Sequence, residues 1–212
     1  MPAESSHSYR KTALVLANAV REGRLCSVFF SGATPGAGTT TAVLEVARQL
    51  SGTFGLRALV IELARSRPVY LAKFDFDSAK TLEACAGGRL PASQCIQRNN
   101  SGLCFLPASA DGASSDQNLA LPTVLRRVLE EVGADFDLVL VDAPPIVEEA
   151  DFLAVASVIP RMVLVVEAGR TRYDALERLR RSLSAEHVTI LGAILSKHRK
   201  LIPGWIYRWL VE

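Results

Sequence analysis

The sequence has no strong charge of either sign: 24 basic and 22 acidic side chains leave a formal net charge of +2 over 212 residues. No global field therefore points to nucleic acid or to a strongly acidic substrate. Long apolar runs are also missing. Leu138 to Val141 and Met162 to Val166 are strand-sized and far short of the ~20 residues that span a bilayer, which predicts a soluble or at most peripheral protein. Met1 to Tyr9 lack the basic, apolar and small-residue succession of a secretory signal, so a cytoplasmic location is expected. The three histidines, His7, His187 and His198, stand apart from one another and from the cysteines, which argues against a metal site or a catalytic triad built on them. Cys26, Cys85, Cys95 and Cys104 show no CxxC spacing, and reduced, buried thiols are expected of them. There is no internal repeat and no low-complexity block, and the length suits one domain spanning 1–212.

What is present alternates. Apolar residues at helical spacing (Leu14, Leu16, Ala17, Val20) predict an N-terminal helix over 9–21. Cys26 to Phe30 reads as a strand, Ser31 to Gly38 as a glycine-rich loop, and Thr40 to Leu50 as a helix. Leu56 to Leu63, Asp137 to Val141, Met162 to Glu167 and Val188 to Leu195 are continuously apolar, as parallel strands covered on both faces are. Helical segments are expected at Ser78 to Cys85, Asn118 to Val132, Glu148 to Ala156 and Arg172 to Leu183. Ala86 to Ser101 and Ala108 to Asp116 read as loops around a short strand, Leu103 to Leu106. Alternating strands and helices predict an α/β fold with a doubly wound, mostly parallel sheet.

A loop holding Pro35, Gly36, Ala37 and Gly38 between a strand and a helix can turn its N–H groups inward as an anion nest, helped by the positive end of the helix. Glycine also serves any tight bend, so the loop alone leaves both readings open. Against the phosphate-loop signature, Ala33 stands at the first glycine and Thr39 where a lysine belongs. Asp142 ends a buried strand, where a carboxylate can hold Mg²⁺ or a water bound to it; the other reading of it is a helix cap.

Ser31 to Thr41 resembles the Pro-Gly-Glu-Gly-Lys-Ser/Thr loop of the bacterial tyrosine kinases that regulate capsule and exopolysaccharide synthesis. Asp137 to Pro145 resembles their Asp-x-x-x-x-Asp-x-Pro-Pro strand. Val60 to Pro68, Leu103 to Ala108 and Val163 to Arg172 fall in register with further segments of that family, so the likeness runs in order along nearly the whole chain. It implies a P-loop NTPase fold of the partitioning-ATPase-like group, with ATP or ADP and Mg²⁺ as cofactors. Pro35, Gly36, Ala37, Gly38, Thr39, Thr40 and Thr41 would then wrap the phosphates, Thr40 and Asp142 would hold the metal, and Asp142 with Glu62 would be the catalytic carboxylates. Arg67 falls where the family keeps an arginine. The implied partner is an inner-membrane polysaccharide co-polymerase, with homo-oligomers a further expectation.

Departures from the family pattern define the functional expectation. Thr39 replaces the lysine that bridges the phosphates, Glu62 and Ala64 replace two aspartates, and Ser196 replaces the asparagine near the adenine. Tyr9, Tyr70, Tyr173 and Tyr207 are too dispersed to form a phosphorylated tyrosine cluster. One electrostatic donor in such a site is worth on the order of 3 kcal/mol, or roughly a hundredfold in rate, so a pseudokinase regulator is the expected function. The alternatives are an active ATPase or tyrosine kinase using a cation from 197–200 or from a neighbouring subunit, and a partitioning ATPase. The last is disfavoured by Thr34, where those proteins carry an extra lysine. In the aromatic and basic tail 197–212, Trp205, Ile206 and Trp209 share a helical face that suits either a peripheral membrane or partner contact, or packing onto the domain.

Overall fold

The computed structural model describes residues 3–63, 68–109, 115–146, 149–171, 177, 181, 183 and 187–197. In chain order these form α1 (Ala3–Arg21), β1 (Ser27–Gly32), α2 (Thr39–Gly52), β2 (Ala58–Glu62), α3 (Tyr70–Phe74), α4 (Leu82–Ala86), α5 (Ala92–Cys95), β3 (Gln97–Arg98), β4 (Cys104–Leu106), α6 (Ser115–Val132), β5 (Leu138–Asp142), α7 (Glu149–Ala156), β6 (Arg161–Glu167) and β7 (Thr189–Ser196). The sheet has seven strands in the order β3-β4-β2-β5-β1-β6-β7. Every neighbouring pair is parallel except β3 with β4.

The sheet is doubly wound because its central strands are apolar on both faces. Side chains alternate along a strand, and the core divides accordingly. Phe29, Leu59, Ile61, Val139, Val141, Met162 and Leu164 pack with residues of α4 to α7 in one cluster. Val28, Phe30, Val60, Leu138, Leu140, Val163 and Val165 pack with α1 and α2 in the other. Helix α2 faces the sheet through Ala42, Val43, Val46, Ala47 and Leu50, the one-sided stripe of an amphipathic helix.

Four expectations need correction. Cys26 is exposed, whereas Cys85, Cys95 and Cys104 are buried free thiols. Helix α1 starts at Ala3, not at residue 9, because the polar residues before the apolar stripe continue its turns. The helix expected at Ser78 to Cys85 is only Leu82–Ala86: 77–80 form a turn closed by Lys80 N–H to the Asp77 carbonyl (3.1 Å), and the Thr81 side chain caps the first turn of α4. The loop expected over Ala86 to Ser101 contains α5 and the edge strand β3, which pairs antiparallel with β4 through Gln97 opposite Phe105 and Arg98 opposite Cys104. Most of the helix expected at Arg172 to Leu183, together with Ala64, Arg67 and the tail residues Trp205, Ile206 and Trp209, lies outside the described residues. Among the described residues no helix is long and apolar enough to cross a membrane.

Candidate functional site

Strand β1 lies between β5 and β6, with Phe30 opposite Asp142 on one side and Val163 on the other. The chain crosses from one half of the sheet to the other here, and such a switch point leaves a crevice beyond the carboxyl ends of the strands. The loop leaving β1 is fastened on both sides. Ala33 N–H donates to the Val165 carbonyl at 2.9 Å, and Ile146 N–H donates to the Gly32 carbonyl at 3.1 Å. The Ser31 hydroxyl donates to the Pro144 carbonyl at 2.6 Å.

The loop then closes on its own base. A Cβ on Gly32 would lie 2.9 Å from the Thr34 carbonyl oxygen, 3.0 Å from the Ala37 Cβ and 3.0 Å from the Thr39 Oγ1, so only glycine fits there. Gly38 has φ 91° and precedes α2 without any side-chain cap. The first N–H groups of a helix have no intrahelical acceptor, and a helix normally covers one of them with a Ser, Thr, Asp or Asn side chain. Here no side chain covers them, and the helix end adds a partial positive charge that suits an anion. The Thr34 Oγ1 is buried with no hydrogen-bond partner, although buried polar groups normally have one.

Asp142 stands beside this cradle and is only 1% exposed. The Thr40 hydroxyl hydrogen-bonds to it, and the Tyr70 hydroxyl donates to its Oδ2 at 2.9 Å. Burial pushes its carboxyl up to about 6, against the opposing pull of those two hydroxyls. Burial likewise holds the Tyr70 phenol well above its ordinary range, with the charge and hydrogen bond of Asp142 adding to it. Glu62 is opposite Asp142 on the neighbouring strand, but its oxygens are already engaged. Oε1 accepts from Val69 N–H at 2.5 Å and Tyr70 N–H at 3.3 Å, and Oε2 accepts from Ala108 N–H at 3.1 Å. Burial raises the Glu62 carboxyl to about 7 in spite of those three amides.

The structure thus brings together the loop residues, Thr40 and Asp142. Pro35 and Gly36 are exposed, Ala37 is buried, Thr39 and Thr40 are half-buried, and Thr41 is exposed. Ser196 closes the other flank: its hydroxyl donates to the Ala37 carbonyl and lies 3.2 Å from the Val166 carbonyl. Tyr70 is the site residue that sequence patterns miss, because no signal joins it to an aspartate 72 residues away.

These residues fit a nucleotide polyphosphate with Mg²⁺. The amide-lined turn and the unpartnered Thr34 hydroxyl suit phosphate, while the Thr40 hydroxyl and Asp142 carboxylate are the oxygen donors that Mg²⁺ prefers. Among the described residues there is no cluster of three or more His, Cys, Asp or Glu, so phosphate and water oxygens would complete the shell, as is usual for this ion.

A glycine loop running from the central strand into an uncapped helix, with an acid at the tip of the adjacent strand, marks a doubly wound, mostly parallel α/β fold of the P-loop kind. No family model matches the chain. In sequence the chain is 24% identical over 199 residues to the tyrosine-protein kinase YwqD of Bacillus subtilis (strain 168), a match covering 92% of this chain and 84% of that protein. In structure it superposes on the kinase domain of VpsO with a TM-score of 0.81 at 21% identity, covering 92% of this chain and 95% of that one. It also superposes on cobyrinic acid a,c-diamide synthase from Mycobacterium smegmatis, solved with bound ADP and magnesium, with a TM-score of 0.65 at 20% identity, covering 80% and 71%. The chain therefore resembles the bacterial tyrosine kinases in sequence and shares their domain fold.

Proposed function

We propose that this chain is a nucleotide-binding regulator of capsule or exopolysaccharide assembly, a pseudokinase in which phosphoryl transfer to tyrosine is weakened or lost. One observation carries the reading: the phosphate cradle is built, but at the position where the kinases keep their lysine, Thr39 places a neutral hydroxyl over Gly32. Binding and transfer make different demands. Backbone amides and a helix end suffice to hold phosphate, whereas transfer also needs positive charge where negative charge develops.

Bound Mg²⁺-nucleotide would supply the phosphoryl group and part of that charge. The chain's own residues would do the rest: the amides of 36–41 bind the phosphates, and Thr40 and Asp142 orient the cation. Glu62, expected from the resemblance to be a catalytic carboxylate, instead has the geometry of a clamp that fixes the chain after β2 and β4. The proposed location is the inner face of the plasma membrane, with an inner-membrane polysaccharide co-polymerase as partner, both on the strength of the kinase resemblance.

Calorimetric titration with ATP and ADP, with and without Mg²⁺, together with a tyrosine phosphotransfer assay, tests this reading. The protein is expected to bind both nucleotides in a Mg²⁺-dependent way and to transfer phosphate slowly or not at all, while Thr39→Lys raises transfer by roughly a hundredfold. A wild-type protein as fast as the lysine variant would contradict the pseudokinase assignment, and no detectable nucleotide binding would contradict the site itself.

A further inference from the structure

The end of the last strand delivers a lysine to the phosphate loop. Lys197 directly follows β7, and its Nζ donates to the Gly36 carbonyl at 2.6 Å and lies 3.3 Å from Glu167 Oε1. The strand end is fixed beside it by the Ser196 hydroxyl on the Ala37 carbonyl and by Ala168 N–H on the Ser196 carbonyl at 3.0 Å. Lys197 itself has φ 54°, the left-handed region that residues with a Cβ adopt sparingly and keep where the surroundings enforce it. That backbone turn directs the side chain back across the loop.

The charges around it leave a surplus. Glu167 also accepts from Arg170 Nη1 at 3.3 Å, so among the described residues two cations share one carboxylate at this rim of the loop. An ammonium has three donors; Gly36 and Glu167 engage two, and the side chain of Lys197 is still 50% exposed. Over Gly36, where φ is 75°, a Cβ would meet nothing within 4 Å, so this part of the loop is open to an approaching group.

We propose that Lys197 is the cation of this phosphate loop, supplying in cis, from the end of β7, the positive charge that the loop itself omits at Thr39. The proposal rests on the nucleotide reading and assigns the residue that sets its affinity. With a polyphosphate in the cradle, the flexible lysine stem exchanges a carbonyl partner for an oxyanion, a stronger charge-assisted bond, and Arg170 keeps Glu167 paired after Lys197 leaves. Lys197 is a binding residue in this scheme, not a catalytic one.

Lys197→Gln separates charge from tethering, because the amide can still donate to Gly36 while the charge is gone. Titration of the full chain with Mg²⁺-ADP is expected to show Kd raised roughly tenfold or more in Lys197→Gln, with a weaker dependence on ionic strength. Lys197→Arg recovers most of the lost affinity, and Thr39→Lys restores it in the Gln background. Equal affinity and equal salt dependence for wild type and Lys197→Gln overturn the proposal while leaving the nucleotide site standing. Wild type that binds no Mg²⁺-ADP overturns both. A Lys197→Gln protein whose loss is accompanied by a lowered Tm, and is not repaired by Thr39→Lys, assigns Lys197 a tethering role and overturns the cation role.

Discussion

At the scale of single residues, the most constrained chemistry is the pair of buried acids. Glu62 and Asp142 face each other across two strands, and burial holds their carboxyls at about 7 and about 6, against ordinary values of 4.5 and 3.8. A raised carboxyl means that the folded state binds the proton more tightly than the unfolded chain. The associated stability is fully present below the ordinary values and is lost as pH rises through 6 and 7. A tenfold change in proton affinity is worth about 1.4 kcal/mol, so Glu62 alone contributes on the order of 3 kcal/mol of pH dependence. The urea midpoint is therefore expected to fall between pH 5 and pH 8. In Glu62→Gln the slope should flatten, while overall stability drops because an amide nitrogen now faces a backbone donor. A midpoint that rises with pH across this window would refute the assignment.

Asp142→Asn keeps the size of the side chain and removes its charge. Chelating Mg²⁺ with EDTA should weaken nucleotide binding by the wild type and leave the Asn variant unchanged, as read by calorimetry. Gly32→Ala is expected to destabilise the chain by about 1–3 kcal/mol, because the new methyl meets a backbone carbonyl oxygen at 2.9 Å; chemical denaturation measures this. The loop and the acid beside it were legible in the sequence, because a glycine-rich turn between strand and helix and an acid at a strand tip are local patterns. The partners were not. The three amides on Glu62 come from residues 7, 8 and 46 positions away, and Lys197 meets a carbonyl 161 positions away. Only the folded sheet creates those distances.

At the scale of elements, sequence periodicity located β1, β2, β5 and β6 well because each is apolar on both faces, whereas Val188 to Leu195, read as covered on both faces, forms an edge strand with only Ile194 and Ser196 of β7 buried. It failed between Ala86 and Ser101, where Gly, Ser and Asn interrupt every pattern. There, order comes from polar side chains. Gln97 in β3 accepts from Asp77 N–H at 2.8 Å and donates through Nε2 to the Asp77 and Lys80 carbonyls, both at 2.9 Å. Asn99 accepts from Leu103 N–H at 3.0 Å and so shapes the turn into β4. Gln97→Ala removes all three bonds to the 77–80 turn. The expected loss is roughly 1–2 kcal/mol, with faster amide exchange at Asp77 than in the wild type; unchanged exchange there would show that the turn holds itself.

At the scale of the whole molecule, one sheet separates two apolar clusters, and protection should follow that division. Strands β2 and β5 are buried at every position, and β1 at all but its first. Strand β7, at the edge, is exposed at Thr189, Gly192, Ala193 and Leu195. Hydrogen exchange is expected to be slowest in the three central strands and faster in β7 and β3, the order in which local openings approach global unfolding.

The bracing of the turn after β1 by the strands on either side has one more consequence. A seat braced by the protein's own hydrogen bonds demands little ordering when it is filled, so the entropic cost to an incoming ligand is small. Occupancy then acts almost purely by mass action, raising stability by RT ln(1 + [L]/Kd), and a melting curve recorded against ligand concentration becomes a direct affinity scale for this protein.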